Sequence, residues 1–167
     1  MITKSEYRIF YSDVPDDAKL DFLIQEAVDK VKDYLEFDIL DTASKTEQVK
    51  VGSDGILWIK RRPLIEVQDL KDKDGITIQW ELVDGSGVSV GLEYKLKPVT
   101  LIYRAGLVSV PNAGKKAVAD FIHSKLSYID RKAVSQRKVG EISETTNDFD
   151  PMKLLIAYFS RYKGIKA

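Results

Sequence analysis

The first sustained pattern in the chain lies between residues 16 and 37. Leu20, Leu23, Ile24, Ala27, Val28, Val31 and Leu35 recur at spacings of three and four, with Asp21, Gln25, Asp29, Lys32, Asp33 and Glu36 between them. That period predicts a helix with one buried stripe and one solvated face. Asp13, Asp16 and Asp17 stand where a helix start takes acceptors and negative charge, so they read as capping groups. From 49 to 106 the period falls to two. Ile76, Ile78, Trp80 and Leu82 alternate with Thr77, Gln79 and Glu81, which predicts a half-buried strand. Val99, Leu101 and Tyr103, interleaved with Thr100, Ile102 and Arg104, predict a strand apolar on most of both faces. Ile56 with Trp58, and the run Leu64-Ile65-Glu66-Val67, predict two more. Asp54-Gly55, Asp74-Gly75 and Asp84-Gly85 supply the positive backbone dihedrals of tight turns, so the region reads as a small antiparallel meander. Pro63 and Pro98 fall at strand starts or edges, where a missing N–H costs least.

The helical period returns over 112–131. Val118, Phe121, Ile122, Leu126 and Ile129 form the stripe, Asn112 is placed to cap it, and Lys115, Lys116, Lys125 and Arg131 lie off it. His123 adjoins the stripe and reads as a packing or surface residue. Residues 130–148 are polar and lose the period, with Val139-Gly140-Glu141-Ile142-Ser143 as the one apolar-bearing island. Two readings fit that segment: a surface loop, or a stretch that orders when it meets a partner. Asp150 then caps, Pro151 takes the first helical position, and Leu154, Leu155, Tyr158, Phe159 and Tyr162 make an apolar–aromatic face before Gly164. This predicts a closing helix over 151–163, which either docks on its own domain or packs on a neighbouring subunit. The expected fold is α+β and mainly helical: three principal helices, with the β-meander inserted between the first and the second.

Composition narrows the chemistry. A length of 167 residues favours one domain over 1–167. Hydrophobic residues at 44% and charged residues at 31% are the profile of a soluble globular protein. No run approaches the roughly 20 apolar residues of a membrane span, so no membrane partner is expected. Met1-Ile2-Thr3-Lys4-Ser5-Glu6 lacks the apolar core of a signal peptide. The absence of cysteine excludes disulfides, zinc–thiolate sites and cysteine nucleophiles, and a single histidine excludes multi-histidine metal sites. Gly85 to Gly87 reads as a turn between strands rather than a phosphate loop. Asp69, Asp72 and Asp74 lack the spacing of an EF-hand. No catalytic, metal-binding or cofactor-binding residue is assigned, and the chain is not expected to be an enzyme.

Charge is balanced overall and uneven along the chain. Residues 1–48 hold six Lys and Arg against twelve Asp and Glu, whereas residues 115–167 hold eleven against six. Either helix surfaces simply vary, or the basic end of one copy meets the acidic end of another. The basic clusters Lys60-Arg61-Arg62 and Arg131, Lys132, Arg137, Lys138 are not interleaved with stacking aromatics, and the chain as a whole is neutral. Both facts argue against strong autonomous nucleic-acid binding.

The order of these features resembles the head–tail connector (adaptor, or head-completion) proteins of tailed bacteriophages and prophages. The resemblance rests on the acidic-capped helix from Asp16-Asp17-Ala18-Lys19-Leu20 to Tyr34-Leu35 and on Arg62-Pro63-Leu64-Ile65-Glu66-Val67. It continues through Val99-Thr100-Leu101-Ile102-Tyr103-Arg104-Ala105-Gly106, the Pro-led helix from Pro111 to Tyr128, the Val139–Ser143 island and the closing helix from Leu154 to Tyr162. The strand region between Val49 and Val99 is longer than in many such proteins. The resemblance implies a structural virion part without cofactors, located at the head–tail interface and assembled in the bacterial cytoplasm. Its implied partners are other copies of itself in a ring, the portal protein and a downstream tail or head-closure protein, with weak non-specific contact to packaged DNA. It also implies a free chain that is monomeric or weakly associated until assembly. Within it, Leu155, Tyr158, Phe159 and Tyr162 are expected to pack on a subunit or partner. Arg131, Lys132, Arg137 and Lys138 are expected to contact a neighbour or channel DNA. The alternative classes are a bacterial nucleic-acid-binding or regulatory module and, further off, an enzyme with an undetected site.

Overall fold

A computed structural model describes residues 1–12, 14–83, 85, 87–135 and 150–163, with backbone alone over 129–135. They form two compact units, each built from separate stretches: Met1–Tyr34 with Val110–Ser160, and Leu35–Ser109 with the stretch from Arg161.

The first unit is helical, and it opens with a helix that the apolar period does not reveal. α1 (Lys4–Phe10) has only two turns, too few for a stripe to repeat. Its start is nevertheless written in Thr3-Lys4-Ser5-Glu6. The Glu6 N–H donates to Thr3 Oγ1 at 3.2 Å and the Thr3 N–H donates to Glu6 Oε2 at 2.8 Å, a reciprocal capping box. α2 (Asp17–Leu35) follows. Its predicted stripe is the observed core face, with Leu20, Leu23, Ala27, Val31 and Leu35 buried, and Asp16 Oδ1 accepts from the Lys19 N–H at 2.9 Å. Glu36, at φ 66°, ends it in the left-handed region.

α3 (Asn112–Ser135) starts where the Pro111 carbonyl accepts from the Gly114 and Lys115 N–H groups, so Asn112 is its first helical residue rather than its cap. It runs past the expected end at 131, because nothing in Asp130–Ser135 breaks a helix. The assignment of 130–135 to a loop is therefore corrected, and the rest of the expected loop lies outside the described residues. α4 (Met152–Phe159) begins as predicted. Asp150 Oδ1 accepts from the Met152 N–H at 2.9 Å, and Pro151 already has helical dihedrals. It stops as an α-helix at Phe159, five positions before Gly164, which lies outside the described residues, and tightens into a 3-10 turn over Ser160–Tyr162. The described residues thus contain four α-helices, not three.

The described residues of the second unit form six strands in two antiparallel sheets. β1 (Lys45–Lys50), β3 (Leu64–Lys71) and β6 (Pro98–Ala105) form one, in the order β1-β6-β3. β2 (Ile56–Trp58), β4 (Glu81–Val83) and β5 (Gly87–Ser89) form the other, in the order β2-β5-β4. A simple meander is corrected to this arrangement, and the reason lies in β6. Val99, Leu101, Tyr103 and Ala105 are buried on one face and Thr100, Ile102 and Arg104 half-buried on the other, so β6 belongs in the middle of a sheet. The strand region also begins earlier than expected, at Lys45, since polar β1 carries little apolar period. The alternation from Ile76 to Leu82 is a strand only at Glu81–Val83. Its first half is held to the edge of β3 by the Ile78 N–H donating to Leu70 O at 2.8 Å, and its second half crosses to β5. Ile78 alone is buried, while Ile76 and Leu82 are exposed.

All three Asp-Gly glycines have positive φ, at 76°, 81° and 55° for Gly55, Gly75 and Gly85. Gly106, at φ 128°, ends β6 where a Cβ would stand 2.8 Å from Ile39 O. Its N–H donates to Pro63 O, and Leu107 N–H donates to Ile39 O.

Candidate assembly surfaces

In the helical unit, the charged groups of one element meet those of another. Lys4 Nζ donates to Asp21 Oδ2 at 3.0 Å and Arg8 Nη2 to Asp17 Oδ1 at 2.6 Å, tying α1 to α2. Lys115 Nζ donates to Glu6 Oε1 at 2.6 Å, tying α1 to α3. The Lys115 bond, with the Thr3 N–H bond second, holds the Glu6 carboxyl down at about 2 from 4.5. Lys125 bonds Glu26 across α3 and α2. Beyond α1, Tyr11 donates its hydroxyl to Asp120, Lys116 donates to both, and the Tyr11 ring lies parallel to His123 with centroids 4.0 Å apart. Burial and then Asp120 push the Tyr11 hydroxyl up, and Asp120 pushes Lys116 up. Two pairs, Glu6 with Lys115 and Glu26 with Lys125, thus join the acidic start to the basic end inside one chain. The sequence signal for this network is faint, since its partners lie about a hundred residues apart.

The partner-packing assignment of the closing helix is corrected for three of its four residues. Leu155, Tyr158 and Phe159 are buried, with Tyr158 edge-on to Phe159 at 5.0 Å. α4 packs on α3, and the Tyr158 ring stands 2.6 Å from where a Gly114 Cβ would be, so these side chains belong to the core of their own unit. Tyr162 is half-buried in the 3-10 turn of the other unit. That turn leads to Lys163, which bridges antiparallel to Arg61. Arg131 and Lys132 lie on α3 with only their backbone described, and Arg137 and Lys138 lie outside the described residues.

Surface in the strand unit is of another kind. Its exposed apolar side chains include Val108, Leu92, Ile76 and Leu82. Of the Lys60-Arg61-Arg62 run, Arg61 lies 3.5 Å from Glu47 and over the Phe37 ring. Tyr103 is buried beside Glu47, and burial pushes its hydroxyl far up. Asp69 faces Lys71 and Thr77, and Asp72 Oδ1 accepts from the Asp74 and Ile76 N–H groups to close a turn. Among the described residues, no three His, Cys, Asp or Glu side chains converge as a metal site.

Among the described residues, four α-helices and two three-stranded antiparallel sheets make an α+β fold that solved particle structures also contain. One solved structure sharing the fold is the neck of an empty gene transfer agent particle computed with C6 symmetry. A chain in it matches with a TM-score of 0.51 and 14% identity, over 99% of this chain and 91% of that one. Another is the virion of a native gene transfer agent particle, with a TM-score of 0.51, 15% identity and the same coverage. No protein-family model matches the chain, and no curated protein matches it in sequence.

Proposed function

We propose that this chain is a structural neck protein of a tailed phage or phage-like particle. In this reading it is a ring-forming adaptor that joins the portal of the DNA-filled head to the tail and closes the head after packaging. The observation that carries the reading is the end-to-end likeness to a chain in a particle neck, 99% of this chain against 91% of that one. The order of elements in the sequence supports it independently. The chain acts without catalysis and without a cofactor. Its partners are other copies of itself, the portal and a tail or head-closure protein, with weak non-specific contact to packaged DNA. Arg131 and Lys132, on α3, together with Arg137 and Lys138, contact a neighbour or that DNA. It resides in the virion after assembly in the host cytoplasm. No helix among the described residues is long and apolar enough to cross a membrane.

Deletion of the gene in a producing strain tests the reading by electron microscopy of the lysate. Filled or leaking heads and separate tails are expected, with joined particles restored by the gene in trans. Normal yields of tailed particles from the deletion strain would overturn it.

A further inference from the structure

The fold sets a second basic segment beside the Lys60-Arg61-Arg62 run. Lys163 bridges Arg61 antiparallel, so Arg161, Tyr162 and Lys163 come next to that run although about a hundred residues separate the two in sequence. Both stretches belong to the strand unit. Residues opposed across an antiparallel bridge point to the same side, which puts Arg61 and Lys163 together. Five cations, three of them arginines, are thereby gathered at one place.

Acids do not match them. Glu47 Oε1 stands 3.5 Å from Arg61 Nε. Asp41 also acts on Arg61, but it is bonded to Lys45 and to the Ala43 N–H. Lys60 and Arg62 have no salt-bridge partner among the described residues, and Arg62 Nε is buried without a hydrogen-bond partner among them. The Phe37 ring, its centroid 5.5 Å from Arg61 Cζ, limits the swing of that guanidinium. Lys60 and Arg161 are exposed, and Arg61, Arg62 and Lys163 half-buried.

Such a cluster suits an anion, and two features choose which. No large apolar side chain is exposed within Lys60–Arg62 or Arg161–Lys163, whereas a protein interface closes around apolar and aromatic groups. The rings at hand, Phe37 and Tyr162, are half-buried, so neither stands out to stack on an unpaired base. What remains is positive charge and guanidinium forks, which match phosphate oxygens and need no contact to base edges.

We propose that Lys60, Arg61 and Arg62, with Arg161 and Lys163, form a sequence-independent contact for the phosphate backbone of duplex DNA. One copy offers few charges, so a single chain binds weakly and its affinity falls steeply with salt. Copies in a ring each present the same cluster, and many weak contacts then act together. That the DNA is the packaged molecule and the copies a ring rests on the neck reading; the contact itself does not.

Fluorescence anisotropy of the purified full chain with a short labelled duplex of mixed sequence, at low and at physiological salt, tests it. Lys60→Gln with Arg161→Gln removes two exposed charges and leaves Arg61 on Glu47 and Phe37. Lys19→Gln with Lys30→Gln makes the same change in net charge on α2 and serves as the control. All variants are first matched to the parent in melting temperature. The cluster variant should bind about tenfold or more weakly at low salt, and its slope of log affinity against log salt should be shallower by about two. The control should stay near the parent. No binding by the parent at low salt, an unchanged affinity in the cluster variant, or an equal loss in the control would each overturn the proposal. Displacement of the duplex by poly-glutamate as readily as by unlabelled duplex would overturn it in favour of an acidic protein surface. Each of these failures leaves the neck reading intact, because the deletion strain decides that reading separately.

Discussion

In the helical unit, Glu6 meets Lys115, Glu26 meets Lys125, and Tyr11, Lys116 and Asp120 close on one another. Even the aromatic face of α4 is turned inward. In the strand unit, Leu82 stands exposed on the edge strand β4 and Lys50 on the edge strand β1. Both units bury an apolar core. What differs is whether polar and apolar groups find partners within the same chain. A helix satisfies its own backbone, so its surface can be completed by side chains from nearby helices. A three-stranded sheet always has two edges, and each must be covered, blunted or given to a neighbour. The helical unit thus pairs many of its charged groups within the chain, whereas in the strand unit the outward backbone groups of β1 take no backbone partner among the described residues.

The largest expected effect comes from breaking the helical side of that contrast while leaving the other side alone. Phe159→Ala removes a ring that is 0% exposed and should cost about 3–5 kcal/mol by lost transfer and a residual cavity. Leu82→Ser removes an exposed side chain and should change monomer stability by no more than about 0.5 kcal/mol. Urea denaturation of the two purified variants checks both. A comparable loss from each would mean that Leu82 is buried within its own chain and that the edge is not open.

Glycines sharpen the comparison at the next scale. Gly106→Ala combines a φ of 128° with a Cβ 2.8 Å from Ile39 O, a backbone atom that cannot swing aside, and should cost about 3 kcal/mol. Gly114→Ala drives a Cβ to 2.6 Å from Tyr158 and from Val110, side chains that can shift in part, and should cost about 1–3 kcal/mol. The second variant should also weaken the contact of α4 with α3, read as faster hydrogen exchange over Met152–Phe159. Equal protection in parent and variant would show that Tyr158 does not depend on the bare Gly114 backbone.

Legibility in the sequence followed the length of each pattern. α2 and α3 were readable because their stripes repeat over several turns, and the Asp150-Pro151 start of α4 because capping is local. The apolar character of most of both faces of Val99–Tyr103 predicted a strand, but not its place in the middle of a sheet. α1 escaped because two turns hold no period, although Thr3-Lys4-Ser5-Glu6 names its cap. The sheet order escaped because nothing local tells Val99–Tyr103 to pair with Lys45–Val49 rather than with a sequence neighbour. The candidate site was least legible of all. Aromatic residues near a terminus suit a partner as well as a core, and only burial separates the two for Leu155, Tyr158 and Phe159. The basic cluster depends on Lys163 bridging Arg61 from far along the chain, which neither basic run encodes.

The smallest expected effect concerns the α1–α3 tie and is the most specific. Glu6→Gln keeps an oxygen for the Thr3 N–H, as a capping box allows either residue, but removes the charge that faces Lys115. In the folded chain the Glu6 carboxyl is held at about 2 against 4.5. A depressed carboxyl binds its proton less readily when folded than when unfolded, so the ionised form stabilises the fold above the unfolded value. The parent should therefore exceed the variant above pH 4.5, and the difference should close as pH falls from 4.5 through about 2. For a partly exposed pair its size should be only about 0.5–1 kcal/mol, shrinking with added salt. Lys115→Gln should abolish most of the pH-dependent difference in a double-mutant cycle measured by thermal melting. If the difference survives in the Lys115→Gln background, the charge of Glu6 serves the N-terminus of α1 rather than the contact with α3, and the helical unit is less self-contained than its ion pairs indicate.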